Sequence, residues 1–116
     1  LSRTTAATDI FVAPMRHFII TSPTSGGDRG LQPMGSRSEI VAALAKRNTA
    51  PERPGDDTLY GPGIVIEMSP GQDPVLQMIL FIDDDDIAWQ VIPRLARELH
   101  WRLVDDSSGR EMVFGR

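Results

Sequence analysis

At 116 residues, 41% hydrophobic and 24% charged, the chain suits one ordinary globular domain that buries roughly two thirds of its unfolded surface without help from a disulfide or metal. A net charge of −4 argues against a nucleic-acid or anionic-membrane partner, because such binding needs a basic face to displace counterions. The absence of cysteine excludes disulfides, thiolate zinc sites and a cysteine nucleophile, and leaves the redox compartment open.

Leu1 to Thr8 lacks the apolar core of a signal peptide, and residues 1–8 are expected to be a flexible segment ahead of a single α+β domain over 9–116. Because the first residue is Leu rather than Met, an upstream segment is also expected. Ile10 to Thr21 is rich in Ile, Val and Phe and reads as a first strand, with Pro14 demoting part of it to an edge or bulge. Ser22 to Gly35 is a breaker-rich loop. Ser36-Arg-Ser-Glu39 is a capping box, so a helix follows, with Ile40, Val41, Leu44 and Ala45 on one stripe and Lys46 and Arg47 at its negative end.

Asn48 to Gly63 holds three prolines and three glycines and is expected to be a second long loop. Ile64 to Met68 is a short strand, joined through the turn formers of Ser69 to Pro74 to the strand Val75 to Ile82 as a hairpin. The apolar run Met78 to Ile82 falls far short of the ~20 residues of a membrane helix, and the cytoplasm is the expected location. Four aspartates, Asp83 to Asp86, then precede a helix on which Ala88, Ile92, Leu95 and Leu99 share a face; Pro93 demands either a late start or a kink. Trp101 to Val104 alternates as a last strand, Asp105 to Gly109 is a turn, and Glu111 to Phe114 returns as a ribbon or extends the strand.

The order strand, helix, strand, strand, helix, strand resembles the ferredoxin-like βαββαβ fold, which implies a four-stranded antiparallel sheet with two helices on one face. The resemblance lies in element order over nearly the whole chain, and many unrelated functions share it. It implies that the 49–63 loop, Asp83 to Asp86, Asp105 and Asp106 meet at one strongly acidic end. Polymerase palms and nucleotide cyclases carry their metal-binding aspartates at the end of strand one and in the second hairpin, where this chain offers only Asp73. RNA-recognition domains need exposed aromatics with basic neighbours, whereas Phe81 here has acidic flanks.

Carboxylates and carbonyls converging at one end suit Mg²⁺ or Ca²⁺, and Asp84, Asp86 and Asp57 are the candidate ligands, with Arg53 as an anion clamp for a phosphorylated substrate. The competing reading is a helix cap, since Asp at and just after an N-cap accepts orphan amides and opposes the positive dipole end. No EF-hand spacing is present, no cofactor is required, and catalysis is not the favoured reading. The loop Thr24 to Gly30 lacks the lysine of a P-loop, and nothing marks His100, Ser22, Ser25 and Asp73 as a catalytic triad.

The strands carry more weight. Val75, Ile79 and Phe81 lie opposite Leu76, Met78, Leu80 and Ile82, and strand one is likewise apolar on both sides. Both sheet faces are therefore expected to be covered, the second one by a second subunit, by the two long loops or by the C-terminal ribbon, with the second subunit the leading reading. The functional expectation is a small interaction or regulatory module, a homodimer or protein-binding unit that uses Val75, Ile79 and Phe81 as its interface.

Overall fold

The computed structural model of the protein describes residues 16–114. The expected segment 1–8 and residues 10–15 of the expected first strand, Pro14 included, lie outside them. Within the described residues the elements are β1 (His17–Thr21), a short 3-10 turn (Gly27–Arg29), α1 (Arg37–Ala45), β2 (Ala50–Pro51), β3 (Thr58–Gly61), β4 (Ile64–Met68), β5 (Gln77–Ile82), α2 (Asp85–Leu99) and β6 (Arg102–Asp105). No helix among them is long and apolar enough to cross a membrane.

The described strands form one six-stranded sheet in the order β2-β3-β4-β5-β1-β6, antiparallel at every junction. This overturns the expected four-stranded ferredoxin-like sheet. The error has a local cause. Prolines and glycines between Asn48 and Gly63 mark turns, but Thr58-Leu-Tyr60 between them is strand-forming. Pro62-Gly63, with Gly63 at φ +71°, is the signature of a tight turn with a left-handed residue, and it folds β3 back onto β4 with Gly61 opposite Ile64. Ala50 and Pro51 then pair with Tyr60 and Leu59 at the outer edge.

The capping box is formed as the residues dictate. The Ser36 hydroxyl accepts from the Glu39 amide at 3.1 Å, and the Glu39 carboxylate accepts from the Ser36 amide at 3.0 Å. Those bonds to Ser36, the backbone amide first, hold the Glu39 carboxyl below its ordinary range. Of the stripe expected on α1, Leu44 is wholly buried, Ile40 and Val41 are half-buried, and Ala45 is exposed. The second helix starts at Asp85 and runs through Pro93, the earlier of the two starts the sequence permits. It ends in the left-handed His100, whose amide donates to the Ala96 carbonyl.

One face of the sheet makes the core. Phe18, Ile20, Leu59, Ile64, Ile66, Met68, Met78, Leu80, Ile82 and Leu103 join Leu44 of α1 and Ala88, Ile92, Leu95 and Ala96 of α2 in a single buried cluster. Strand β5 alternates half-buried and buried along its whole length, so the second face is only partly covered among the described residues, where double burial was expected. Among the described residues, only the helix-bearing face has a layer packed against it.

Candidate functional site

The register of the strands aligns the open face into rows. Tyr60, Val65, Phe81 and His17 lie side by side across β3, β4, β5 and β1, and the next row holds Thr58, Glu67, Ile79, Ile19 and Val104. Tyr60 is 47% exposed, while Val65, Phe81, Ile79, Ile19 and Val104 are half-buried. The His17 and Phe81 rings sit 5.3 Å apart, and the His17 Nε2 lies 2.8 Å from a carboxylate oxygen of Asp106. The apolar band therefore reaches over five strands; the exposed Glu67 interrupts its second row on β4, Gln77 and Arg102 share the next row at one end, and Asp106 stands beside His17 at the other. Arg102 is held by the Glu111 carboxylate at 3.1 Å.

Of the three residues expected on this face, Ile79 and Phe81 are at its centre. Val75 is 0% exposed and belongs to the core. It precedes β5, and its amide and carbonyl bond Gly35 and Met34, which ties the loop before α1 to the sheet and breaks the alternation at Leu76. Sequence reading underrated Tyr60, Val65 and Val104. The alternation Leu59-Tyr60 before Pro62-Gly63 was the available signal for the first of these.

Both sheet edges are blunted. Strand β2 is two residues long and contains Pro51, which has no amide to donate. The outer edge of β6 is taken by the returning chain, where Val104 bridges Glu111 and the Met112 amide donates to the Leu103 carbonyl at 2.8 Å.

The aspartate run sits where β5 ends. Asp84 is the N-cap of α2, its side chain accepting from the Ile87 amide at 3.1 Å, and Asp85 accepts from the Trp89 indole at 3.1 Å. The Gly63 carbonyl accepts from the amides of Asp83 and Asp84 at 2.8 and 3.0 Å, which seats the β3–β4 turn against the start of the helix. Beside them Arg16 reaches Asp105 at 3.3 Å, with its guanidinium 5.1 Å from the Phe18 ring centre and 5.5 Å from that of Trp89. The Ser107 hydroxyl and amide bond Asp105 at 2.8 and 2.9 Å, and they, hydroxyl first, then Arg16, hold its carboxyl below the ordinary range against the opposing effect of burial.

Asp57 is elsewhere. Because β3 descends from it, Asp57 lies at the opposite end of the sheet, its carbonyl bonded by the Met68 amide and its carboxylate paired with Arg37. The expectation that the 49–63 loop brings Asp56 and Asp57 to the acidic end is corrected by the insertion of β2 and β3. Among the described residues no three acidic or histidine side chains form a group suited to a metal ion, and Asp84 and Asp86 remain a pair of exposed carboxylates on a helix start.

Comparison with family models, with curated proteins and with solved structures yields no match to this chain.

Proposed function

We propose that this chain is a non-catalytic interaction module that pairs with a second copy of itself through the open sheet face. The observation that carries the reading is the continuous apolar band centred on Ile79 and Phe81. The opposite face is packed under the helices, and both edges resist strand addition, so among the described residues this band is the large apolar surface left for a partner.

A second copy fits the arrangement. Two sheets stacked about 10 Å apart, with a two-fold axis along the strands between β5 and β1, lay β5 over β1 and β4 over β6. Ile79 then faces Ile19, Phe81 faces His17, and Glu67 comes over Val104, one row from Arg102. Each 100 Å² of apolar band removed from water contributes about 2.5 kcal/mol. Association costs about 4 to 15 kcal/mol, so about 160 to 600 Å² of apolar surface must be buried before a pair is stable, which face-on stacking provides more readily than an edge contact.

The reading is tested by Ile79→Lys, placed at the centre of the band but outside the core. Self-association measured by light scattering weakens at least 100-fold while circular dichroism stays unchanged, and Ile87→Lys, at an exposed apolar position of α2 on the helix layer, leaves association intact. Equal association of wild type and Ile79→Lys removes the proposal.

A further inference from the structure

The groove between the end of α1 and the outer side of α2 has a chemistry that neither the core nor the open face uses. Its volume is about 540 Å³, within the ~300–1,000 Å³ of small-molecule sites. Lys46 and Arg47 line it from the end of α1, Arg94 from α2, and Val91, Leu95 and Pro62 supply an apolar wall. In a chain of net charge −4, three cations gathered on one concave surface are a local reversal of sign, and a groove with low-dielectric walls concentrates such a field.

Their pairing is incomplete. Arg47 is anchored, its Nε donating to the Glu98 carboxylate at 2.9 Å and its Nη1 to the Ala43 carbonyl at 2.7 Å. The second contact satisfies a carbonyl of the last turn of α1, so the negative end of that helix does not face the groove bare. Lys46 and Arg94 have no carboxylate partner among the described residues, and Glu98 is the one acidic side chain lining the groove, which leaves an excess of two positive charges. An anchored guanidinium beside two unpaired cations is suited to the several oxygens of a phosphate group, which arginine binds through paired donors and lysine as a point charge.

We infer that this groove binds a small organic phosphate, its phosphoryl oxygens held by Arg47, Arg94 and Lys46 and its apolar part laid on Val91 and Pro62. The site is on the helix layer, opposite the open sheet face, so it stands independently of self-association.

Titration of the full chain with phenyl phosphate and with inorganic phosphate, followed by amide resonances in two-dimensional NMR at low ionic strength, tests it. Saturable shifts centred on residues 46–48 and 91–98 are expected, with phenyl phosphate binding at least threefold more tightly than inorganic phosphate. Arg94→Gln and Lys46→Gln each weaken phenyl phosphate about tenfold, whereas Arg29→Gln, in the distant 3-10 turn, leaves it unchanged. All three positions are exposed, and unchanged amide spectra away from each substitution confirm the fold. Shifts that grow linearly and scatter over every arginine, equal weakening by Arg29→Gln, or no preference for the phenyl compound overturn the inference.

Discussion

Gly63 offers the sharpest test of how the inserted hairpin is locked to the rest of the fold. A Cβ at this position would lie 2.7 Å from the Ala88 amide nitrogen, 2.9 Å from the Asp84 carbonyl oxygen and 2.9 Å from the Ile87 Cβ. Two of these are backbone atoms of the first turn of α2, which cannot swing aside. Gly71 has the same φ of +71°, with nothing within 4 Å of its notional Cβ, so it isolates the conformational part of the cost. Gly71→Ala is expected to lose about 1 kcal/mol, the penalty of a left-handed residue with a side chain. Gly63→Ala carries that penalty, and the shift needed to relieve the contacts also lengthens the bonds its carbonyl accepts from Asp83 and Asp84, each worth about 1 kcal/mol. The expected total is about 3 kcal/mol, or a fall in melting temperature of roughly 12 °C against roughly 4 °C for Gly71→Ala. Urea and thermal unfolding followed by circular dichroism give both values. Equal losses for the two variants would refute the packing of the β3–β4 turn on α2.

Three further outcomes follow from the same residues. Asp84→Ala removes the acceptor for the Ile87 amide and is expected to cost about 1 kcal/mol in urea unfolding, Asp84→Asn much less, and Asp83→Ala under about 0.5 kcal/mol; a uniform effect along the run would show that charge, not capping, is what matters there. Among the described residues the buried Thr21 hydroxyl has no hydrogen-bond partner, so Thr21→Val is expected to raise stability by up to about 1 kcal/mol, and a loss of that size would mean that the hydroxyl is bonded in solution. Asp105 has a lowered folded-state pKa, so the stability it contributes is complete above about pH 4 and disappears as pH falls through the folded value; Asp105→Asn should flatten that part of the acid unfolding curve, and an unchanged curve would contradict the role given to Ser107 and Arg16.

Elements with strong local chemistry were legible in the sequence. Ser36 and Glu39 fix the start of α1, the turn formers of 69–74 join β4 to β5, and the spacing of Ala88, Ile92 and Leu95 gives the buried stripe of α2. The inserted strands were not legible, because Thr58 to Gly61 is short and enclosed by prolines and glycines that signal turns whether they join loops or strands. Asp57 moved to the opposite end for that reason alone. The open face was half legible: Ile79 and Phe81 follow from strict alternation, whereas Val75 left their face because its backbone bonds the loop at Gly35 and bends the chain before β5. Acidic residues cluster in sequence at 83–86, but their hydrogen bonds to Ile87 and Trp89 depend on where the helix begins, which the pattern with Pro93 left between two starts.

Self-association through the open face is the central claim, and sedimentation equilibrium of the wild-type chain over a micromolar concentration range tests it most directly. The expected result is a mass approaching twice the 12.8 kDa of the chain, falling toward the single-chain value on dilution. A mass that stays at 12.8 kDa across the whole range would contradict the claim and leave the apolar band of Ile79 and Phe81 without the partner proposed for it.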